Sequence, residues 1–173
     1  MGRGEAHAPI AVYPGSFDPI HLGHVAIVDR AKKLFPKVIV AVLANNEKDA
    51  LFTPVERLEM MDELWAGDQR VEFRSFQGLL VNFLKEVGAT IVIRGIRAVS
   101  DFEYEFMMAL MNRKLSPEVE TVFLTPKEDY TYLSSRVVKE VVALGGDVTG
   151  LVPEPVRFRL EERYREATHP PTS

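Results

Sequence analysis

Apolar positions along this chain follow two rhythms. Ile10-Ala11-Val12-Tyr13, Val38-Ile39-Val40-Ala41-Val42-Leu43 and Thr90-Ile91-Val92-Ile93-Arg94 are short, nearly continuous runs rich in β-branched residues. Runs of that length and kind predict strands covered on both faces. Segments 71–75 and 120–124 predict two more strands. Between the runs, apolar residues recur every three or four positions, the helical spacing. That pattern predicts helices over 25–35, 53–64, 79–87 and 100–115. A further helix starts at Ser134 or Ser135 and stops at Gly145-Gly146, and a charged helix follows Pro155. Boundary residues agree. Thr53-Pro54-Val55-Glu56 and Ser100-Asp101-Phe102-Glu103 both read as capping boxes, and Gly88 is placed to end a helix.

Strands and helices alternate throughout. The expected fold is therefore α/β: a Rossmann-like, doubly wound, parallel five-stranded sheet with helices on both faces. Nothing in the sequence suggests a repeat or a linker, so residues 9–167 are read as one domain, with 1–8 and 168–173 as flexible termini. Ligands of such sheets lie beyond the carboxyl ends of the strands, at the switch point. The loops 16–24, 45–50, 78–80, 94–101 and 126–135 should then open on a single crevice, with His24 and Arg94 facing it together.

The chain is organised around Tyr13-Pro14-Gly15-Ser16-Phe17-Asp18-Pro19-Ile20-His21-Leu22-Gly23-His24, a strand end, a tight loop and a helix start. Free backbone N–H groups and the positive end of the helix dipole meet there, which suits a phosphate. Pro14-Gly15 lets the chain turn, Gly23 leaves the backbone open to a ligand, and Ser16 can donate to an anionic oxygen. The loop matches neither the Walker pattern nor G-x-G-x-x-G.

Other polar clusters sit at the neighbouring strand ends. Arg94-Gly95-Ile96-Arg97 offers two guanidiniums to a polyanion. Glu105 could accept hydrogen bonds from a nucleoside. Ser134-Ser135-Arg136, with Lys139 a turn later, begins a helix, and its hydroxyls and N–H groups read both as a cap and as a second anion site. Lys48 alone in a polar loop reads as solvated surface. Leu79, Leu80, Met108 and Met111 are either core or the apolar wall of a ligand site.

Composition narrows the classes. A net charge of −4 over 173 residues gives no basic field for nucleic acid. With no cysteine there is no disulfide, thiolate zinc site or cysteine nucleophile. Without a membrane-length apolar run or a signal-like N-terminus, a cytoplasmic protein is expected, with no membrane and no nucleic-acid partner.

The H-x-G-H sequence His21-Leu22-Gly23-His24, behind Gly15-Ser16-Phe17-Asp18-Pro19, resembles the signature of the nucleotidyltransferase superfamily, whose members join a nucleoside monophosphate to a phosphate-bearing acceptor and release pyrophosphate. Tyr13 to Pro19, Arg94 to Glu105, Met111-Asn112-Arg113, Ser134-Ser135, Val138-Lys139-Glu140-Val141 and Gly146-Asp147-Val148 are similar, in order, to the bacterial phosphopantetheine adenylyltransferase family. That resemblance implies AMP transfer from ATP to 4′-phosphopantetheine, giving dephospho-coenzyme A and pyrophosphate, with Mg²⁺ accompanying ATP. It implies that His24, Lys48 and Ser16 carry the reaction. Ser16, Lys48, Leu80, Arg94, Met108 and Asn112 would hold the acceptor. Ser16, Phe17, His24, Gly95, Ile96, Arg97, Glu105, Tyr130, Thr131, Tyr132, Leu133, Ser134, Ser135 and Arg136 would surround ATP. A homohexamer, and dephospho-coenzyme A or coenzyme A as further ligands, are also implied.

Two positions depart from that family. His21-Leu22 stands where Thr-Asn is usual, so His21 either adds a phosphate contact or makes none. Arg136 stands where Ser or Thr is frequent. The stretch 17–24 is similar to nicotinate-mononucleotide adenylyltransferases, which nonetheless usually carry Gly-Gly in place of Pro14-Gly15. That enzyme, a cytidylyltransferase and a non-catalytic nucleotide-binding regulator are the alternative readings. An acceptor that is already an anionic phosphate needs no general base. Catalysis is then expected from in-line alignment and stabilisation of charge on the α-phosphate.

Overall fold

The computed structural model describes residues 8–44 and 50–168. Five strands, β1 (Ile10–Gly15), β2 (Lys37–Leu43), β3 (Val71–Phe76), β4 (Ile91–Gly95) and β5 (Glu120–Leu124), form one sheet in the order β3-β2-β1-β4-β5. Every pairing is parallel. The helices are α1 (Leu22–Leu34), α2 (Pro54–Leu64), α3 (Leu80–Val87), α4 (Val99–Leu115), α5 (Ser135–Ala143) and α6 (Glu154–Thr168). The expected doubly wound α/β sheet is therefore present, and among the described residues no helix is long and apolar enough to cross a membrane.

Side-chain alternation divides the strands between two cores, because successive residues of a strand point to opposite faces. Ala11, Tyr13, Val38, Val40, Val42 and Ile93 pack with Ile27, Met60, Val138, Val156 and Leu160 on one face. Val12, Ile39, Ala41 and Val92 pack with Phe76, Phe83 and Leu84 on the other. The charged last helix is thus no loose appendage: Val156 and Leu160 are fully buried, and Arg159 and Arg163 pair with Glu59, Glu63 and Glu56 of α2.

Helix ends follow the sequence with two corrections. Thr53 and Glu56 form the predicted capping box, and Gly88 closes α3 in the left-handed region at φ 67°. The Ser100 capping box does not form. Helix α4 begins at Val99 after Ala98, with no side-chain cap, so Ser100 lies inside the first turn. Its Asp101 carboxylate is taken by Arg97 at 3.0 Å. Helix α1 begins three residues earlier than predicted, at Leu22, because His21 caps it.

Helix α4 is the least covered element. Asn112 is its one buried residue among those described, while Phe102, Phe106, Met107, Leu110 and Met111 stay exposed.

Candidate active site

The order β2-β1-β4 places the switch point between β1 and β4, and the loops leaving both strands frame the site. After Gly15 the chain makes its turn with Phe17 at φ 49°, a conformation unfavourable for a bulky residue. Its ring is folded back over Gly15, where a Cβ would sit 2.9 Å from Phe17 Cζ. Gly15 is thus required by the aromatic ring of its own loop. Phe17 is buried and meets the rings of Tyr13 and His24 edge-on, with centroids 5.3 and 5.0 Å away.

Asp18 fastens this loop to the rest of the fold. Its carboxylate accepts from the backbone N–H groups of Leu51 and Phe52 at 2.9 and 2.8 Å and from Lys139 Nζ at 2.9 Å. Arg57 lies 3.5 Å away and donates to the carbonyls of Phe52 and Ser16. Burial alone would raise the Asp18 pKa, but these N–H donors and two cations hold it below the ordinary value. Lys139, a turn after Ser134 and Ser135, is thus engaged by Asp18.

Two histidines cap α1. Nδ1 of His21 accepts from the N–H of Gly23 at 3.1 Å, and Nδ1 of His24 accepts from the N–H of His21 at 3.3 Å. This is a capping box in which imidazoles fill both the cap and N3 positions. The two rings stack with centroids 3.6 Å apart. Gly23 makes the arrangement possible, since a Cβ there would lie 2.9 Å from the His21 ring. Since both Nδ1 atoms accept, each neutral ring carries its proton on Nε2. Burial, then the Arg97 charge, lowers the His21 pKa to about 4. Burial, followed by His21, Arg97 and Arg94, holds His24 well below its ordinary value. Both are neutral N–H donors near pH 7.

The expected single crevice is in fact two adjoining cavities, and His24 and Arg94 line different ones. The first, about 200 Å³, is bounded by Tyr13, His21, Gly23, His24, Ile27, Gly95, Arg97, Pro126, Tyr130, Leu133, Ser134 and Ser135. The second, about 370 Å³, has Pro14, Gly15, Ser16, Arg94 and Glu105 at one side and an apolar lining that includes Leu43, Phe76, Leu80, Met108 and Met111. The ends of β1 and β4 are their common wall: Tyr13 and Gly95 face the first, Pro14 and Arg94 the second. Adjacent strand residues must point apart, which is why Arg94 and Gly95 part company. The Arg94 charge contributes, after burial, His21 and Arg97, to lowering the His24 pKa.

Of the residues expected around ATP, His24, Gly95, Arg97, Tyr130, Leu133, Ser134 and Ser135 come together on the first cavity. Ser134 caps α5 by accepting from Val137 N–H at 3.1 Å, and Ser135 donates to the Pro19 carbonyl at 2.8 Å. Arg97 also donates to the Leu133 carbonyl at 2.6 Å. The other residues expected around ATP do not line that cavity. Ser16 and Glu105 line the second cavity instead. Phe17 is core. Ile96 is drawn to β5, its N–H bonded to the Leu124 carbonyl at 2.9 Å, and Thr131 is turned to the Glu128 carbonyl. Tyr132 points to solvent, and Arg136 pairs with Glu140 in the open. All five described acceptor residues, Ser16, Leu80, Arg94, Met108 and Asn112, line the second cavity. Lys48 lies outside the described residues.

Arg94 is fixed before any ligand arrives. Its Nε and Nη2 grip both oxygens of Glu105 at 2.5 Å, and Nη1 donates to the Pro14 carbonyl at 2.9 Å. Burial would lower the Arg94 pKa, but Glu105 raises it, so the charge stays. Glu105 is thus an orienting partner of Arg94, a role its position alone did not reveal. His21, Tyr13 and Ile27 are wall residues that the sequence did not assign. For His21, its place one turn before His24 was the available signal.

Comparison with known proteins agrees with this geometry. A family model described as Cytidylyltransferase-like matches residues 12–141. A phosphopantetheine adenylyltransferase of Carboxydothermus hydrogenoformans is 53% identical over 157 residues, covering 91% of this chain and 97% of that protein. One of Heliobacterium modesticaldum is 54% identical over 155 residues, covering 90% and 92%. The crystal structure of a putative nicotinate-nucleotide adenylyltransferase from Vibrio parahaemolyticus superposes with a TM-score of 0.66 over 88% of this chain and 98% of that one, at 14% identity, and so shares the fold. By these matches, this chain belongs to the phosphopantetheine adenylyltransferases, within the cytidylyltransferase-like family.

Proposed function

We propose that the protein transfers the adenylyl group of ATP to 4′-phosphopantetheine, forming dephospho-coenzyme A and pyrophosphate. The observation that carries this reading is the pair of cavities on either side of the ends of β1 and β4: one walled by N–H donors and Arg97, the other larger, mostly apolar in its lining and containing Arg94. A nucleotide and an acceptor with a lengthy uncharged arm need such a pair. The names of the relatives support it.

ATP occupies the first cavity, with its α-phosphate toward the His21–His24 pair. The acceptor's arm lies along Leu80, Met108 and Asn112, and its phosphate is held by Arg94 and Ser16. An oxygen of that phosphate attacks the α-phosphorus. The P–O bond to the bridging oxygen breaks, and its electron pair leaves with pyrophosphate. No proton has to be removed from the nucleophile. His24 Nε2–H donates to the α-phosphate oxygens as they gain charge, and Lys48 adds a positive charge there. Arg94, held by Glu105, brings the nucleophile into line.

Mg²⁺ arriving with ATP would supply positive charge against its phosphates. Dephospho-coenzyme A and coenzyme A carry the same arm and would place it in the second cavity. The exposed apolar face of α4 supports a homohexamer, and the setting is cytoplasmic.

The decisive experiment offers ATP with 4′-phosphopantetheine and with nicotinate mononucleotide, and CTP in place of ATP, while following pyrophosphate. Release only with ATP and 4′-phosphopantetheine is expected. Release with another pair, or with none, overturns the reading.

A further inference from the structure

The register of the sheet puts one polar side chain where an apolar one would serve the fold better. Thr121 of β5 lies beside Val92 of β4, and two residues on, Phe123 lies beside Arg94. Side chains two apart on a strand share a face. Thr121 therefore stands on the Arg94 side of the sheet, beneath α4, and lines the second cavity. Its Oγ1 is shut off from solvent and has no hydrogen-bond partner, the only such side-chain atom among the described residues. A hydroxyl buried in this state costs stability, and a Val of the same shape would avoid the cost.

A second polar group lies on the same wall. Asn112, on α4, is 8% exposed, and its carboxamide also lines this cavity. The surroundings of both are Leu43, Phe76, Leu80, Met108, Met111 and Leu115. Neither group touches the ion pair of Arg94 and Glu105 that heads the cavity. Two hydrogen-bonding groups in a greasy channel, one of them unsatisfied, are how a site fixes the position of a ligand that is mostly apolar.

We propose that the Thr121 hydroxyl is a specificity-determining contact: turned about χ1 toward the cavity that its residue lines, it hydrogen-bonds an amide of the acceptor's arm and, with Asn112, sets where that arm lies. This rests on the acceptor reading above. A hydroxyl both donates and accepts, so it can serve the N–H or the C=O of an amide. Its unmet state without ligand is the cost of rejecting acceptors whose arm is purely hydrocarbon.

The test compares Thr121→Val, which keeps the shape and removes the hydroxyl, with Thr121→Ser, which keeps the hydroxyl. In T121V the KM for 4′-phosphopantetheine should rise about 5- to 10-fold, the worth of one neutral hydrogen bond. Its kcat and its KM for ATP should hold, and the ligand-free Tm should stay or rise. T121S should keep a wild-type acceptor KM. An unchanged acceptor KM in T121V, an equal rise in both variants, or a fall in the ligand-free Tm of T121V overturns the proposal. If the wild-type protein released no pyrophosphate with 4′-phosphopantetheine, the acceptor reading would go first, and this contact with it.

Discussion

The backbone N–H of His21 donates to Nδ1 of His24 at 3.3 Å. That bond decides which nitrogen of the His24 imidazole carries the proton. A helix N-terminus disfavours imidazolium, and a ring that caps it through Nδ1 must keep that atom bare. The cap and the donor are therefore one device: the bond that starts α1 also aims Nε2–H at the first cavity.

Replacing His24 by Ala should lower kcat about 10²- to 10³-fold, the usual cost of losing one preorganised donor to a developing oxyanion. The KM values should move far less, and the far-ultraviolet spectrum should be native. Turnover within a few-fold of wild type would remove His24 from the reaction.

Stability should depend on pH through the same pair. The folded-state pKa of His21, about 4, is below its unfolded value of about 6.5. The unfolded chain therefore binds the proton first. Stability is complete above about 6.5 and drains away as pH falls toward 4, at up to about 1.4 kcal/mol per pH unit for each such histidine. His24 shifts in the same direction and adds to the slope. Urea midpoints between pH 7.5 and 4.5 measure it. His21→Asn, which can still cap the Gly23 N–H but does not titrate, should flatten the slope. An equally steep decline in H21N would refute the assignment.

The elements and their order were legible because a parallel sheet writes itself as β-branched runs between amphipathic segments. The chemistry at the ends of β1 and β4 was legible because strand-end loops must share one rim of the sheet. What escaped is what depends on side-chain direction. Arg94 and Gly95 are neighbours in sequence, yet the pleat sends them to different cavities. Glu105 looks like a free acceptor until α4 brings it onto Arg94. Lys139 gives no sign in the sequence of its bond to the buried Asp18, a pairing 121 residues apart.

The Arg94–Glu105 pair separates two roles for Glu105. If it orients Arg94, Glu105→Gln should raise the KM for 4′-phosphopantetheine about tenfold and leave the KM for ATP within about twofold, the scale of a weakened charge-assisted bond. A larger effect on ATP than on the acceptor would instead place Glu105 against the nucleotide. Steady-state kinetics with each substrate varied in turn distinguishes them.

Helix α4 leaves Met107 and Leu110 exposed, and neither lines a cavity described above. The proposed homohexamer would bury residues of this kind. Met107→Glu with Leu110→Glu should dissociate the assembly in sedimentation experiments while each protomer stays folded. A wild-type protein that sediments as a monomer, or a double variant that assembles normally, contradicts a homohexamer built on this face.

Asp18 should be the most stability-critical polar residue of the loop. It holds two backbone N–H groups and two cations in a buried place, and one of those cations, Arg57, also grips the Ser16 carbonyl. Asp18→Asn removes the charge and leaves Lys139 and Arg57 uncompensated, which should cost about 3–5 kcal/mol. For a chain of this size that is a fall in Tm of about 10 °C. Adding Lys139→Met should return part of the loss, since it deletes one of the stranded charges, and the two effects should not add. Additive losses in the double variant, or a fall of less than about 1 kcal/mol in D18N, would mean that the backbone contacts alone hold the loop. Because Arg57 links this network to Ser16, D18N should also raise the acceptor KM well below its melting temperature.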